Sequence, residues 1–208
     1  AAGKPGLITH VGLKTFVDPA LEGGMLNDKA REAGPLVERI EIGGETPLLY
    51  KALPIDVAVI RATYADTQGN CTFQREGVSA ETLAIAQAAK NSGGRVIVQV
   101  EDVVEYGALD TRLVRLPGIY VDAIVAAAPE NHMQTFGTGY NPAYCGEVRV
   151  PVSSLKPLAL DQRKVVARRA AMELVPNAIT NLGIGMPEGV AAVAAEEGLQ
   201  GMVLTTEA

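Results

Sequence analysis

Uninterrupted apolar runs of strand length divide the chain from residue 57 onward. Residues 57–60 form the first run, residues 96–100 form a second with a single Gln, and residues 120–128 contain a third. Runs of this length without polar alternation are typical of strands buried on both faces of a parallel sheet. Residues 80–90 have the composition of a helix, with Ser79 as the predicted N-cap and glycines after the end. The pattern therefore predicts a strand, helix, strand unit.

The same order recurs at the end of the chain, over residues 178–208. Strand-favouring residues lead into Gly183, an Ala- and Val-rich segment follows Pro187, and Gly198 precedes a last apolar run. Proline is tolerated in the first turn of a helix, and glycine is favoured just past a helix end. We therefore predict a second strand, helix, strand unit, with Glu207 at the end of its last strand.

A further helix is predicted directly before this unit. Asp161 is a suitable N-cap for it. Val166, Ala170 and Leu174 recur at four-residue spacing and form the predicted buried stripe. The predicted exposed side of this helix is basic and consists of Arg163, Lys164, Arg168 and Arg169.

Two regions lack sustained periodicity. Residues 1–50 are rich in Gly and Pro and predict a loop-heavy surface, with a short hairpin at residues 37–42 that closes on Gly43 and Gly44. Residues 129–160 are rich in Gly, Pro, Tyr, Ser and Asn, as is common in connections between domains. The predicted organisation is the C-terminal part of a first α/β domain over residues 1–128, a linker over residues 129–160 and the start of a second α/β domain over residues 161–208.

Composition and charge restrict the possible partners. The chain has 208 residues, 48% of them hydrophobic, and a formal net charge of −6. Its 18 basic and 24 acidic residues are interspersed, which disfavours binding to nucleic acid or an anionic membrane. No apolar run approaches the roughly 20 residues needed to cross a bilayer, and the first residues do not resemble a signal peptide. These features predict a soluble, cytoplasmic protein.

Cysteine and histidine are too scarce for several kinds of chemistry. Cys71 and Cys145 are isolated and are predicted to be reduced thiols. His10 and His132 are far apart, and neither has a carboxylate, Ser or Cys partner at a suggestive spacing. No metal site is predicted, and a reaction that needs no histidine is favoured.

The turn from Gly183 to Pro187 has a clear chemical use. It presents backbone N–H groups at a helix N-terminus, where a phosphate or an oxygen that becomes negative during a reaction is stabilised. Glu207 follows at the carboxyl end of the next strand, the edge of an open α/β sheet where ligands bind. This carboxylate has three possible roles: it binds a ribose in a dinucleotide fold, attacks an activated acyl group, or is a solvated strand end.

The spacing of the glycines departs from the dinucleotide fingerprint. The pattern is Gly183-x-Gly185-x-x-x-Gly189, and Glu188 stands where the third glycine is expected. An acidic side chain there would crowd and repel a pyrophosphate.

Several motifs resemble those of family I coenzyme A transferases. Asn181-Leu-Gly-Ile-Gly-Met-Pro resembles the family's glycine loop, and Leu204-Thr-Thr-Glu207 resembles the segment that carries its nucleophilic glutamate. The similarity is greatest to the acetate/propionate CoA-transferase type. Further similar segments, which together extend over most of the chain, are Gly12-Leu-Lys-Thr-Phe-Val-Asp-Pro, Leu48-Leu-Tyr-Lys, Ala58-Val-Ile-Arg-Ala-Thr-Tyr-Ala-Asp-Thr-Gln-Gly-Asn, Val98-Gln-Val-Glu and Leu116-Pro-Gly-Ile-Tyr-Val-Asp.

The resemblance implies a fold, a reaction and a site. The fold would be α/β: two related open, largely parallel domains of the type shared with sugar-phosphate isomerases, the second only partly present, so that the chain is an internal piece of a longer polypeptide. The reaction would move CoA from an acyl-CoA to a short-chain carboxylic acid through a thioester on Glu207. No permanently bound cofactor and a homo-oligomer are implied. The implied CoA-contacting residues are Gly183, Ile184, Gly185, Met186 and Pro187.

Two other functions stay open at this point. One is a sugar-phosphate isomerase or deaminase that binds phosphate at the Gly183 loop and uses Glu207 as a general base. The other is a non-catalytic nucleotide-binding module in which Glu207 contacts a ribose. Weaker candidates for contacts with CoA phosphates are Lys14, Lys29 and Arg31. Weaker candidates for lining a cleft at strand ends are Glu101, Asp102, Glu105, Tyr64, Asp66 and Asn70.

Overall fold

The computed structural model describes residues 2–151, 154 and 156–206. They form two compact units: residues up to 74 together with residues 81–133, and residues 75–80 together with those from 134 onward. The predicted domain boundaries near residues 128 and 160 stay a prediction. The elements of the first unit are β1 (Gly6–Thr9), α1 (Asp28–Ala33), β2 (Val37–Arg39), β3 (Leu48–Lys51), β4 (Val57–Arg61), β5 (Tyr64–Asp66), β6 (Cys71–Thr72), α2 (Thr82–Asn91), β7 (Arg95–Val100), β8 (Asp102–Val104), β9 (Val114–Leu116) and β10 (Ala123–Ala126). The elements of the second unit are α3 (Gln162–Ala171), β11 (Ile179–Leu182), α4 (Glu188–Glu196) and β12 (Val203–Thr206).

A small antiparallel sheet of β1, β3 and β2 lies near the start of the first unit. The predicted hairpin is present, and Gly43 and Gly44 have φ values of 61° and 86°, which the tight turn between β2 and β3 requires. The sequence pattern does not predict β1 or α1, because each is short and lies among glycines and prolines.

Asp18 fastens the loop before α1 to strand β2. Its buried carboxylate accepts hydrogen bonds of 2.8 and 2.9 Å from the Arg39 guanidinium, and others from the backbone N–H groups of Lys14 and Ala20. The hydrogen bonds from Arg39, followed by those from the two amides, hold the pKa of Asp18 well below its ordinary value. The carboxylate is therefore ionised at neutral pH and orders a segment that has little apolar periodicity.

Strands β4, β7 and β10 form the parallel sheet that the apolar runs predict, in the order β10-β7-β4. Helix α2 packs on one face, where Ala58, Val96 and Val98 are at most 1% exposed. The prediction that these strands are buried on both faces is wrong for the described residues. Val57 and Val59 on the opposite face are 51% and 75% exposed, because α2 leaves that face in contact with solvent.

The parallel pairing continues past a bend into a second, four-stranded sheet, β8-β5-β6-β9. The Ala62 amide donates to Gln99 O and the Glu101 amide donates to Thr63 O, so the backbone bonding continues across the break. Strands β5 and β8 then pair in parallel beyond it. Strands β5 and β8 therefore continue from the carboxyl ends of β4 and β7, so these ends do not form the open edge of a sheet.

Helix α2 begins later than the sequence predicts. Ser79 is not its N-cap, since the helix starts at Thr82 with Glu81 in the capping position. Ala80 has a φ of 41°, a left-handed value that cannot be part of a right-handed helix. The predicted end is confirmed, because Gly93, with a φ of 76°, directly follows the last turn.

The second unit is built on the predicted strand, helix, strand unit. Strands β11 and β12 pair in parallel, and α4 connects them. Asp161 is the N-cap of α3, as predicted, and its carboxylate accepts a 2.9 Å hydrogen bond from the Lys164 amide. Gly198 follows α4 with a φ of 67°, which confirms the predicted helix end.

The buried face of α3 differs from the predicted one. Lys164, Ala167 and Ala171 are buried, whereas Val166 is 50% exposed. The small alanine side chains allow close approach to α4, and a Cβ added at Gly189 would lie 3.0 Å from Ala167 Cβ. Helix α3 therefore packs on α4 through its alanine face, and Val166 lies at the surface.

Lys164 is buried although the sequence pattern predicts it to be exposed. Its ammonium donates a 2.9 Å hydrogen bond to Leu158 O and forms a 2.7 Å ion pair with Glu196 at the end of α4. These partners compensate for the removal of the charge from water. Among the described residues, no helix has both the length and the apolar character needed to cross a membrane.

Candidate functional site

The glycine loop follows strand β11 in sequence, and the predicted nucleophile follows strand β12. Strands β11 and β12 are parallel neighbours, and their last paired residues are Leu182 and Thr206. Gly183 follows Leu182 directly in sequence, and Glu207 follows Thr206. Glu207 lies outside the described residues, so its predicted catalytic role is taken up below as a proposal.

The loop between β11 and α4 turns through a glycine that no other residue can easily replace. Gly185 has a φ of 94°, and no atom lies near the position where its side chain would be. Ile184 is 72% exposed and Met186 is 43% exposed, so both apolar side chains are available at the surface of this unit. Pro187 precedes the first residue of α4 as its N-cap.

Glu188 already binds one of the loop amides. The Gly185 N–H donates a 3.0 Å hydrogen bond to Glu188 Oε1. The acid at the first position of the helix thus reaches back to a loop amide three residues earlier. The carboxylate also places a negative charge at the positive end of the helix. A second anion at this loop would therefore have to displace Glu188 or tolerate its charge.

Two cavities flank the loop within the second unit. One has a volume of about 310 Å³ and a largely apolar lining; it includes Val166, Leu174, Leu182 and Val190. The other has a volume of about 400 Å³ and includes charged residues. The charged residues that line it are Asp161, Arg163 and Glu188. Met186 lines both cavities, so the loop lies between them.

Asn181 and Thr205 form a polar pair that the sequence reasoning did not single out. They are register partners on β11 and β12, and Thr205 Oγ1 donates a 3.1 Å hydrogen bond to Asn181 Oδ1. Both residues are exposed. The two-residue period of a strand would have identified them, because Thr205 lies two positions before Glu207.

Two of the weaker cleft candidates in the first unit, Asp66 and Asn70, form a turn. Asp66 is 3% exposed, and its carboxylate accepts hydrogen bonds from the Gln68 and Asn70 amides and from the Asn70 side chain. Asn70 in turn accepts a 3.0 Å bond from the Gly118 amide. These contacts identify Asp66 and Asn70 as turn-forming residues.

Of the remaining candidates in the first unit, Tyr64 on β5 and Asp102 on β8 are register partners. Asp102 is a residue of β8, and its carboxylate accepts a bond from the next backbone amide. Arg31 is paired with Asp28 at 2.9 Å on α1. The predicted CoA contacts of Lys14, Lys29 and Arg31 stay a prediction.

The histidines and cysteines do not form a reactive arrangement in the described part of the chain. His10 Nε2 lies 3.1 Å from Glu45 Oε2 on the surface, and His132 Nδ1 lies 3.0 Å from Gln99 Nε2 in a buried position. Burial, followed by the positive charge of Arg61, lowers the pKa of His132 below its ordinary value. No group of three or more His, Cys, Asp or Glu among the described residues could hold a metal ion.

Both cysteines are free thiols. Burial, and secondarily the charge of Asp66, raises the pKa of the Cys71 thiol to about 12, so this thiol is protonated at neutral pH and unreactive. Cys145 Sγ lies 3.6 Å from the hydroxyl of Tyr140, which also donates to Glu147.

Comparison with known proteins identifies the family. A sequence model of the family described as "Coenzyme A transferase" matches residues 1–127. Caffeate CoA-transferase from Acetobacterium woodii is 51% identical over 209 aligned residues, which cover 100% of this chain and 40% of the relative. Acetate CoA-transferase YdiF from Escherichia coli K12 is 40% identical over 208 residues, 100% of this chain and 39% of the relative. The chain thus spans about two fifths of the length of these relatives.

Solved structures agree with the sequence comparison. The acyl-CoA transferase YdiF apoenzyme from Escherichia coli O157:H7 superposes with a TM-score of 0.84 at 38% identity, over 99% of this chain and 38% of that one. Glutaconate coenzyme A-transferase from Acidaminococcus fermentans is 24% identical, with a TM-score of 0.50 over 62% of this chain and 41% of that one, and bears on the fold alone. The predicted α/β fold is confirmed by these similarities. Together with the family match, they show that the chain belongs to the coenzyme A transferase family.

Proposed function

We propose that the protein transfers coenzyme A from a short-chain acyl-CoA to a free short-chain carboxylate, with Glu207 as the nucleophile. The observation that supports the proposal is the parallel pairing of Leu182 with Thr206, because Gly183 and Glu207 are the next residues in sequence after these two paired positions. The YdiF enzyme of Escherichia coli O157:H7, 38% identical with a TM-score of 0.84 over 98% of this chain, has also been solved as a thioester complex with CoA.

The reaction proceeds through two covalent forms of Glu207. The carboxylate oxygen attacks the thioester carbonyl carbon, and the carbon–sulfur bond breaks. This step releases the CoA thiolate and forms a mixed anhydride between Glu207 and the acyl group. The thiolate then attacks the glutamyl carbonyl, which releases the first acid as a carboxylate and leaves a glutamyl-CoA thioester. The acceptor carboxylate repeats these steps in reverse. No external base is needed, because a carboxylate with an ordinary pKa of about 4.3 is ionised at neutral pH.

The overall reaction exchanges one thioester for another. Its free-energy change is therefore near zero, and no nucleotide hydrolysis is required. Because the enzyme is covalently modified between the two halves, the kinetics are ping-pong. No step requires a histidine or a metal.

The loop at Gly183, Ile184, Gly185, Met186 and Pro187 contacts CoA in this proposal. Its exposed side chains Ile184 and Met186 are apolar, and Met186 also lines the apolar cavity. Such a surface suits the uncharged arm of CoA better than its phosphates, because Glu188 already occupies the Gly185 amide. The same contact disfavours the sugar-phosphate and nucleotide-binding alternatives, both of which need a phosphate at this loop.

Trapping with hydroxylamine tests the proposed function. Hydroxylamine attacks a glutamyl thioester and converts Glu207 to a hydroxamate, so it should abolish activity irreversibly when acyl-CoA is present and leave it intact when acyl-CoA is absent. Neither alternative function forms an adduct that hydroxylamine could attack. Protection from inactivation in the presence of acyl-CoA would contradict the proposal.

Shortening the nucleophile provides a second test. Glu207→Asp withdraws the carboxylate by one methylene, and a displacement of this size should lower kcat by about 100-fold or more. Glu207→Gln, which keeps the length but not the charge, should be inactive and insensitive to hydroxylamine. Retention of the wild-type kcat by Glu207→Asp would exclude Glu207 as the nucleophile.

A further inference from the structure

We propose that residues 75–80 form a strap, that the loop of residues 134–147 holds this strap in place, and that release of the strap lets helix α2 begin two residues earlier. The strap lies between β6 and α2 in sequence. It nevertheless belongs to the second unit, whereas β6 and α2 both belong to the first. The inference concerns a conformational change and does not depend on the proposed function.

Gln134 is the central residue of the contact between the strap and the loop. Its Nε2 donates a 2.8 Å hydrogen bond to Arg75 O, and its Oε1 accepts a 2.8 Å hydrogen bond from the Asn141 amide. The residue is 9% exposed, so both hydrogen bonds are shielded from competition with water. Because the two ends of one side-chain amide bond different segments, Gln134 joins the strap to the loop.

Two packing contacts accompany these hydrogen bonds. The guanidinium of Arg75 lies over the ring of Tyr140, with Cζ 3.9 Å from the ring centroid, which is a cation–π contact. A Cβ added at Gly77 would lie 3.8 Å from Tyr144 Cβ and 3.9 Å from Gln134 Cγ, the distance of ordinary van der Waals contact. The strap therefore contacts the loop at two of its six positions as well as through the Gln134 hydrogen bond.

The strap ends in a strained residue. Ala80 has a φ of 41°, a left-handed value that a residue with a side chain adopts only at an energetic cost. Glu81 follows as the N-cap of α2, although its side chain makes no capping hydrogen bond to a described residue. The helical hydrogen bonds begin with the Ile85 amide, which donates to Glu81 O at 2.9 Å. Such strain persists where surrounding contacts impose it, and the contacts at Arg75 and Gly77 shortly precede Ala80.

The sequence encodes a second, earlier start for α2. Ser79 is a favoured N-cap residue, and alanine has the highest helix propensity, so a helix that begins at Ala80 would have a good cap and a good first residue. This start requires Ala80 in a right-handed conformation. The helix would then gain hydrogen bonds from the Leu83 amide to Ser79 O and from the Ala84 amide to Ala80 O. The held strap and the longer helix thus exclude each other, and loss of the loop contacts shifts the population toward the longer helix.

Hydrogen exchange of single amides in the complete natural protein tests this competition. Gln134→Glu keeps an acceptor for the Asn141 amide but removes the donor to Arg75 O, so it releases the strap while it preserves the loop. Exchange within the strap should become about threefold to tenfold faster, because one shielded hydrogen bond is lost. Exchange at Leu83 and Ala84 should become slower by a similar factor, because these two amides gain helical partners.

Three further variants serve as controls. Gln162→Glu places the same charge on an exposed residue of α3 and should leave exchange unchanged in the strap and at the two α2 amides. Ala80→Gly added to Gln134→Glu should cancel the slower exchange at the two α2 amides, because glycine accepts the left-handed conformation and disfavours a helix. Tyr140→Ala removes the ring beneath Arg75 and should change exchange in the same directions as Gln134→Glu by a smaller factor. It provides the test if Gln134→Glu does not fold.

Two results would overturn the proposal. Faster exchange at the two α2 amides in Gln134→Glu would show that release of the strap unwinds the helix instead of extending it. Unchanged exchange within the strap would show that Gln134 does not hold it. Both measurements are independent of the hydroxylamine test, so either result would leave the proposed function intact.

Discussion

Glu188 determines what the glycine loop can bind. Its carboxylate accepts the Gly185 N–H and lies at the N-terminus of α4. In an anion-binding loop, the backbone amides and the helix dipole are both available to a bound anion. Here the Glu188 side chain accepts a hydrogen bond from one amide, and its charge offsets the dipole. The loop is therefore better suited to an uncharged ligand segment than to a phosphate.

The carboxylate of Asp18 leads to a prediction about acid stability. Hydrogen bonds from Arg39 and two backbone amides depress its pKa below the ordinary value of 3.8. A depressed pKa contributes stability above the unfolded-state pKa, and that stability is lost as pH falls through the folded-state pKa. Asp18→Asn should therefore lower the free energy of unfolding at pH 7, and the difference from wild type should shrink below pH 3.8.

Urea unfolding at several pH values measures this difference. Asp28→Asn is the matched control, since Asp28 pairs with Arg31 while its side chain is 95% exposed. Exposed ion pairs contribute little, so this variant should unfold like the wild type. A difference between Asp18→Asn and wild type that grew at acidic pH would contradict the assignment.

Single residues differ in how far the sequence reveals their roles. The contact of Glu188 with Gly185 spans three positions, and the pairing of Asn181 with Thr205 follows from strand alternation once two parallel strands are recognised. Asp18 and Arg39 are 21 positions apart in a region without periodicity. Only the folded chain reveals that pair, because no local pattern links its members.

At the level of elements, helices α3 and α4 pack closely together. A Cβ at Gly189 would lie 3.0 Å from Ala167 Cβ, so the space for larger side chains is absent. We predict that Gly189→Val destabilises the protein by about 1–3 kcal/mol through overpacking. The free energy of unfolding from urea titration measures this cost.

Ala192→Val on the same helix is the control for the lower helix propensity of valine. Ala192 lines the larger cavity, where an added side chain has room. Its cost should stay below about 1 kcal/mol, the scale of helix propensity differences. Equal destabilisation by the two variants would show that close helix packing at Gly189 is not what limits side-chain size.

Elements with strong periodicity or clear end signals are the ones that the sequence predicts. Both strand, helix, strand units are present, and Asp161 and Gly198 mark helix ends as expected. The sequence does not predict short elements such as β1 and α1, because four to six residues among glycines are too few to show a hydrophobic periodicity. The start of α2 is missed for another reason: Ala80 has a left-handed conformation, which sequence-local cap preferences do not anticipate.

At the scale of the whole molecule, one face of the parallel sheet in the first unit has exposed valine side chains. Val57, Val59 and Val125 are 51%, 75% and 48% exposed on it. Parallel sheets are usually covered on both faces. The chain spans about two fifths of its relatives' length, and these exposed fractions are those of the described residues alone. The apolar runs predict burial on both faces, and only the face that packs on α2 is buried in the described residues.

This exposure gives a prediction for the 208-residue chain. Val59→Thr should change the free energy of unfolding by less than about 0.5 kcal/mol, because the side chain is already in water. Val98→Thr, the same change at a residue that is 0% exposed, should cost about 1–3 kcal/mol through burial of a hydroxyl. Val59→Thr should also reduce binding of a hydrophobic dye. A large loss of stability in Val59→Thr would contradict exposure of this face.

The central claim is that Glu207 becomes covalently joined to coenzyme A during turnover. Mass spectrometry of the peptide that contains Glu207, recovered after brief exposure of the complete natural protein to acyl-CoA, tests it most directly. We predict a peptide that carries CoA through a thioester on Glu207, lost on treatment with hydroxylamine and absent from Glu207→Gln. Acyl-CoA-dependent transfer activity without any modified Glu207 peptide would contradict this mechanism.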